Sequence, residues 1–327
     1  MSPERPDHAH EAWFSSETDL RRSLTLCGQA LDKIRQGLCV FDGEQRLLLF
    51  NRQYAEMYNL APESLRIGMT LRDVVDLRYA AGTGPNMAKE EYAAWRDRIA
   101  VADRVVETIV ELRNGAVHEI HHEPTPGGGW VATFDDITER RRIEDRIRHM
   151  ARHDALTDLP NRFLFRERLE QALAASDRRN QLAVLYLDLD RFKAVNDTLG
   201  HAIGDALLCS VAERVRGCLG AGDLAARLGG DEFGILQGGV RYTEEAAVLA
   251  RRIVVSLRKP YDIDGHALTI GASIGIALAP SDGADPDEVL KNADIALYHA
   301  KRDGRGTYRF FKSIIGPKRG AVSALSA

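Results

Sequence analysis

Paired cysteines and long apolar runs are what this chain of 327 residues most lacks. Its four cysteines, Cys27, Cys39, Cys209 and Cys218, form no CxxC pair and no zinc-ligand spacing. That leaves no disulfide framework and no structural zinc site, and the four read as buried free thiols of a reducing compartment. No stretch approaches the ~18 consecutive apolar residues of a membrane span. Met1–Glu17 is polar and acidic, without the basic and apolar regions of a secretory signal. These absences predict a cytoplasmic protein with no membrane span. An excess of one charge is also missing, since 44 basic residues face 48 acidic ones for a formal net charge of −4. Nucleic acid and anionic membrane are therefore not expected as main partners. An anionic substrate has to be met by a local cation cluster or by bound metal.

The chain has the length of about two globular domains, with 44% hydrophobic and 28% charged residues. Residues 1–23 lack a sustained apolar period and are expected to form a flexible arm. Leu24–Ile34 then carries helical spacing. Leu38–Phe41 and Leu47–Phe50 flank Asp42-Gly43, a hairpin signal. Helices are predicted at Arg52–Tyr58, Leu71–Ala80 and Glu90–Ala102, and strands at Arg104–Leu112, Val117–Glu123 and Gly129–Asp135. The result is a small sheet with its helices between the second and third strands. Cys39 falls in a strand and reads as core. His118 and His122 share one strand face while His121 takes the other. The three read as residues of an ordinary surface strand rather than a haem or metal site.

Residues 138–150, TERRRIEDRIRHM, are heavily charged, with Ile143, Ile147 and Met150 on one helical stripe. Such a narrow stripe suits a short coiled coil between two protomers. Beyond it the pattern alternates between helix and strand. A helix is predicted at Arg162–Ala175, followed by an apolar run, Leu182–Leu187, that ends in Asp188-Leu189-Asp190. One amphipathic helix carries Leu208, Val211, Val215 and Leu219. A hairpin at Leu228–Leu236 and a helix at Glu244–Arg258 follow, then a strand at Leu268–Ala279, a helix from Pro286 and a strand at Tyr308–Phe311. The last residues, 313–327, are expected to be a disordered tail.

The chemistry-bearing residues fall in this second half. Asp188 closes a buried strand, where a carboxylate is costly unless it meets a cation or a donor, and strand ends of α/β sheets are where ligands bind. In RLGGDEFGIL (227–236), Gly229-Gly230 is a turn signal and the adjacent carboxylates Asp231 and Glu232 follow it. Three carboxylates, Asp188, Asp231 and Glu232, suit one or two Mg2+ ions, which favour oxygen ligands and bring substrate phosphates. Lys193 follows the strand, and Lys301 and Arg305 stand four residues apart at the end of the last helix. A basic helix end beside a carboxylate cluster points to a polyphosphate.

HDALTDLPNR (153–162), LDLDRFKAVNDTLGHAIGD (187–205), RLGGDEF (227–233), SIGIA (273–277) and ADIALYHAKRDGRG (293–306) together resemble the GGDEF family of diguanylate cyclases, in the family's order. The resemblance implies a palm-like domain of nucleotidyl-cyclase type over 151–312, joining two GTP into cyclic di-GMP between two protomers. It implies Asp188, Asp231, Glu232 and the Leu189 carbonyl as ligands of Mg2+, with Mn2+ as the alternative, and Asp231 and Glu232 as catalytic. It further implies that Asn196 and Asp205 read guanine. Lys193, Lys301, Arg305 and the backbone at Arg191-Phe192 would hold the triphosphate, and Gly229 and Gly230 would leave room for the nucleotide. An Asp at position 205 can accept from guanine N1–H and the exocyclic amine, a donor pair adenine lacks, so GTP is the expected substrate. The family's inhibitory Arg-x-x-Asp is replaced by Gly220-Ala221-Gly222-Asp223, so weak product inhibition is expected.

FDGEQRLLLFNRQYAEMY (41–58) and GGWVATFDDIT (128–138) resemble a PAS domain over 24–137. That resemblance implies an antiparallel sheet with helices, a sensory role with no ligand named, and dimerisation. The whole is an α+β and α/β two-domain architecture, with 138–150 as signalling linker. A homodimer through the GGDEF faces, the PAS domain and the linker is expected. The alternative is a silent GTP-binding module that regulates a partner; no phosphodiesterase domain follows before Ala327, which favours synthesis.

Overall fold

The computed structural model describes residues 17–100, 104–126, 128–176 and 180–315, and it divides the chain into two units, Met1–Asp145 and Arg146–Ala327. In the first, α1 (Glu17–Leu31) precedes β1 (Gly37–Phe41), β2 (Leu47–Phe50), α2 (Arg52–Met57), α3 (Leu71–Ala80) and α4 (Lys89–Ala100). Strands β3 (Val106–Glu111), β4 (Val117–Pro124) and β5 (Trp130–Asp136) complete a wholly antiparallel sheet of order β2-β1-β5-β4-β3. The three helices stand between the second and third strands, as the sequence predicts.

One buried asparagine holds this start together. Asn51, 2% exposed, caps α2 by accepting from Tyr54 N at 3.0 Å, and also accepts from Leu38 N at 2.8 Å. Its amide donates to the Gln36 and Leu31 carbonyls at 2.8 and 3.1 Å. A side-chain cap is worth about 1 kcal/mol; this one also satisfies backbone groups at the end of α1 and at β1. Thr70 and Asp73 form a capping box on α3. The core gathers Phe41, Tyr54, Tyr58, Tyr92, Trp130 and Phe134, with Phe41 stacked on Trp130 at 4.4 Å.

Several expectations change here. Helix α1 starts at Glu17, inside the stretch read as an arm; residues 1–16 of that arm, and 101–102 at the end of the expected third helix, lie outside the described residues. Cys39 and Cys218 are buried, but Cys27 is exposed and Cys209 only partly covered. His118 and His122 do share a face, yet it is the core face: each is 1% exposed, while His121 turns outward. Period-two alternation reports which residues lie together, and the helices packed on the sheet decide which face is inside.

Helix α5 (Thr138–Arg152) crosses the division between the units, buries no residue and exposes Ile143, Ile147 and Met150. In the second unit come α6 (Arg162–Ala175), β6 (Gln181–Asp190), α7 (Phe192–Leu199), α8 (His201–Arg216), β7 (Leu224–Gly229), β8 (Glu232–Val240) and α9 (Thr243–Leu257). A small hairpin of β9 (Tyr261–Ile263) and β10 (His266–Leu268) leads to β11 (Gly271–Ala279), α10 (Pro286–Arg302), β12 (Tyr308–Phe310) and α11 (Phe311–Ile315). The sheet order is β12-β11-β6-β8-β7, antiparallel except that β12 runs parallel to β11. The amphipathic helix read from the sequence is α8, which ends at Arg216 short of Leu219, and a further helix, α7, precedes it, the two divided at Gly200 with φ +85°. Leu268 belongs to the small hairpin rather than to β11, and α11 reaches into the expected tail, whose residues 316–327 lie outside the described residues.

Strand β6 is central and covered on both faces. Ala183, Leu185, Leu187 and Leu189 enter the core beneath α8 and α9. Leu182, Val184 and Tyr186 enter a second core with Phe165 and Leu169 of α6 and Val289, Ala293 and Leu297 of α10. Asp188 continues the second series.

Burial, aided by Arg78, holds the His118 imidazole down to about 4 against the pull of Asp136; burial and then Arg96 hold His122 down to about 4. Between pH 6.5 and 4 the unfolded chain therefore binds protons that these folded imidazoles refuse. Stability is whole above pH ~6.5 and falls as pH drops, by about 1.4 kcal/mol per pH unit for each imidazole. All three tryptophans, Trp13, Trp95 and Trp130, lie in the first unit, so tryptophan-fluorescence melts of the full chain report on it. His118→Gln with His122→Gln should flatten the acid slope, and an unchanged slope would refute this assignment.

Candidate active site

Because β6 and β8 are paired with Asp188 opposite Glu232, and Asp188 is opposite Ser273 on β11, the two acids leave the sheet on one face. Asp188 is largely covered and meets Lys301, in the last turn of α10, with Nζ to Oδ2 at 2.7 Å. Burial is the strongest influence on the Asp188 carboxyl and lifts it above the ordinary carboxylate value. Lys301 pulls it down, and Asp231 and Glu232 push it further up. A buried carboxyl whose cost of ionisation two neighbouring carboxylates raise fits a hard cation held by oxygen.

The carboxylates are not a finished cage, however. Among the described residues, the oxygens of Asp188, Asp231 and Glu232 do not all come within 4.8 Å of one another; the one group that does is Glu119, His121 and Asp135 in the first unit. Glu232 Oε2 instead accepts from Tyr186 Oη at 3.0 Å and from Arg162 at 3.4 Å. Burial, with Glu232 adding to it, pushes the Tyr186 phenol up to about 12, so it stays a donor. Asp231 is tied to the strand end through its backbone, with Leu189 N donating to its carbonyl at 3.3 Å. The hairpin tip turns at Gly229 (φ +144°) and Gly230 (φ +53°), where a Cβ would meet open space. Backbone conformation, rather than crowding, requires glycine there.

Arg227 shapes that tip. Its guanidinium donates to the Gly230 carbonyl from Nε at 3.0 Å and Nη2 at 2.8 Å, and to both oxygens of Asp154 at 2.9 and 3.2 Å. Asp154 also accepts from Thr157 N and Oγ1, and Arg227 N donates to the Pro160 carbonyl at 2.9 Å. Arg162 donates to the Leu228 carbonyl at 3.0 Å. The HDALTDLPNR segment is thus the brace of the carboxylate hairpin. Asp154, Arg162, Tyr186 and Arg227 were all missed as site residues. For Asp154 and Arg162 the signal is the motif at 153–162, for Arg227 it is RLGGDEF, and Tyr186 has none beyond its place in the apolar run.

The expected cations and guanine readers come from α7, α8, the last turn of α10 and the turn after it. Arg191 caps α7 in a left-handed conformation (φ +62°), Phe192 is buried against the α8 side of the sheet, and Lys193 is exposed. Arg305, also left-handed (φ +64°), and Arg191 line a cavity of about 520 Å³ with Asp190, Gly271, Arg258 and Gly306. Asp190 is structural: it accepts from Ser273 Oγ at 2.7 Å and Gly306 N at 2.9 Å, holding the turn after α10 against β6. Asn196 on α7 faces Gly204 on α8, where any Cβ would overlap its Oδ1, and that Oδ1 is buried with no partner among the described residues. Asp205 is exposed on the adjoining turn of α8.

Residues 151–307 match the family described as diguanylate cyclase, GGDEF domain, and residues 31–145 match the PAS fold. The chain belongs to the GGDEF family. It is 50% identical over 177 residues to the bifunctional diguanylate cyclase/cyclic di-GMP phosphodiesterase MucR of Pseudomonas aeruginosa, over 54% of this chain and 26% of that protein. To the probable diguanylate cyclase DgcE of Escherichia coli it is 35% identical over 306 residues, 91% of this chain and 26% of that protein. The chain thus spans about a quarter of each of these relatives. The GGDEF domain of TpbB from Pseudomonas aeruginosa is 46% identical, aligning over 49% of this chain and 94% of that structure with a TM-score of 0.48.

In the GGDEF unit the Asp154–Arg227 pair is mostly covered, with side chains 23% and 12% exposed. Arg227→Ala leaves that carboxylate and the Gly230 carbonyl unserved and should cost about 2–3 kcal/mol in urea unfolding. A loss below ~0.5 kcal/mol would show that the brace contributes nothing.

Proposed function

We propose that this protein is a diguanylate cyclase that condenses two GTP into cyclic di-GMP with release of two pyrophosphates, as a homodimer under control of its PAS unit. The observation that carries the reading is the register pair of Asp188 and Glu232 at the end of a doubly buried strand, beside Lys301 and under a glycine turn that carries Asp231. The family match and the names of the relatives support it.

In this reading Asp188, Asp231, Glu232 and the Leu189 carbonyl hold Mg2+, or Mn2+, which supplies charge neutralisation at the transferring phosphoryl group. Lys301 and Arg305 bind phosphate oxygens, with Lys193 and the backbone at Arg191-Phe192 beside them. Asn196 and Asp205 take the guanine edge, and the glycine at 204 gives Asn196 its place. Glu232, oriented by Tyr186 and Arg162, accepts the proton of the attacking 3′-hydroxyl. The new bond joins that oxygen to the α-phosphorus of the nucleotide on the other protomer, and the bond to the β-phosphate breaks to release pyrophosphate. The sites must therefore face one another, and the exposed Ile143, Ile147 and Met150 stripe on α5 is the surface proposed to pair two linkers. A silent GTP-binding module is the second reading, favoured by 44% identity over 200 residues to NbdA, which is named a cyclic di-GMP phosphodiesterase.

Incubation of the full chain with GTP, with and without Mg2+, followed by chromatographic separation of nucleotides, tests this directly. Cyclic di-GMP should form only with the metal, at a rate steeper than linear in protein. Asp231→Asn and Glu232→Gln should each lower it at least ~100-fold. GTP bound but intact at every protein concentration, in the full chain and in residues 146–327 alike, would favour the silent module.

Product inhibition is a separate prediction. At the position of the inhibitory Arg-x-x-Asp, Asp223 accepts from Gly220 N at 2.8 Å, closing a local turn with no guanidinium at its start. Lacking the bidentate phosphate contact, the enzyme should turn over unchanged in added cyclic di-GMP up to ~10-fold over enzyme. Tight inhibition that persists in Asp223→Ala would place the inhibitory site elsewhere.

A further inference from the structure

Among its described residues the PAS unit buries polar groups that find no partner. Arg78 on α3 and Arg96 on α4 are each 2% exposed, and His118 and His122 on β4 are each 1% exposed. An arginine in a protein cannot shed its proton, so this core carries two permanent positive charges. Arg78 lies 3.7 Å over the Tyr58 ring and donates once, to Tyr92 Oη at 3.1 Å. Its Nε and Nη2 have no partner among the described residues, and neither do Nε and Nη1 of Arg96, which lies 5.0 Å over Trp130. Tyr58 Oη, His118 Nδ1 and both ring nitrogens of His122 are buried in the same condition.

These groups belong together. Both guanidiniums act on Cys39 and on Tyr58, His118 packs edge-on against Tyr58 at 5.0 Å, and His122 lies 4.6 Å from Trp130. The groups that act on Arg78 are tyrosines, Tyr58, Tyr92 and Tyr54, rather than carboxylates. Leaving a guanidinium buried and partly unpartnered is among the costlier things a fold can do, and among the described residues this core does it twice.

We propose that the PAS core is a receptor for a small dicarboxylate, one carboxylate engaging Arg78 and the other Arg96, with His118, His122 and the Tyr58 hydroxyl completing its hydrogen bonds. The charge count selects a dianion. Burial keeps both imidazoles neutral near pH 7, so they bring hydrogen bonds and the two arginines bring the charge. Planar guanidinium forks match carboxylates two bonds at a time. The surroundings select a carbon skeleton: the groups sit among the aromatic side chains Tyr54, Tyr58, Trp130 and Phe134, which suit an apolar body. A hydrated inorganic anion would lose its water against those rings with nothing in return. This inference concerns binding and stands apart from the cyclase reading.

The test is calorimetric titration and tryptophan-fluorescence melting of the full chain with succinate, glutarate and phthalate, against acetate and inorganic phosphate. At least one dicarboxylate should bind saturably and raise the melting midpoint. Arg78→Met and Arg96→Met should each abolish that binding and, in its absence, melt no lower than the parent, since each removes an uncompensated charge. Arg96→Lys, which keeps the charge without the fork, should fold and bind about tenfold more weakly. The proposal is overturned if no dicarboxylate binds, if phosphate or acetate binds as well as every dicarboxylate, or if the arginine variants bind undiminished. Met variants that melt lower than the parent, with no response to any dicarboxylate, would assign both arginines to packing over Tyr58 and Trp130.

Discussion

The GGDEF unit depends on a strand that has no free face. Apolar side chains fill both sides of β6 from Leu182 to Leu187, so polar groups can appear only where the covering helices stop. Asp188 occupies that limit, one turn of α10 covers it, and Lys301 at the end of that helix neutralises it. The same core that makes the strand immovable therefore fixes the carboxylate, and the cation beside it arrives on a helix whose length is set by packing against β6 and β11. Chemistry here is a boundary condition of burial rather than an addition to it.

The two units treat buried charge in opposite ways. In the GGDEF unit, charges are matched within the chain: Asp188 with Lys301, Asp154 with Arg227, and Asp190 with Ser273 and the Gly306 amide. In the PAS unit, aromatic faces are what Arg78 and Arg96 meet. Stacking of a cation on a ring returns about 0.5–2 kcal/mol, well short of what a desolvated guanidinium loses. The first arrangement holds a shape, and the second leaves an electrostatic demand standing.

Much of this was legible in the sequence, and what was not has a common cause. The hairpin at Asp42-Gly43, the helices between strands two and three, and Asp188 at the end of an apolar strand all follow from local period and turn chemistry. The facing of His118 and His122 does not, because alternation groups residues without saying which side the helices cover. Helix α7 and its end at Gly200 have no counterpart in the sequence reading, whose apolar stripe through Leu208, Val211 and Val215 lies wholly in α8. Among site residues, Asp188 and Glu232 could be placed from strand parity. Asp154 and Arg162 could not, since their partners Arg227 and Glu232 come 73 and 70 residues later. That the three carboxylates remain apart in this conformation is likewise a property of side-chain partners, Tyr186, Arg162 and Lys301, to which no spacing rule points.

Pairing of β6 with β8 also limits how this sequence can change its length. Side chains alternate with a period of two, so one residue gained or lost between Gly234 and Leu236 would turn Glu232 toward the core beneath α8 and α9, leaving Asp188 where it was. Two residues would restore the facing, though displaced along the strand. Point substitutions at the hairpin are weighed one side chain at a time; indels are weighed by whether they are odd or even. The carboxylate pair is thus protected by arithmetic as well as by chemistry.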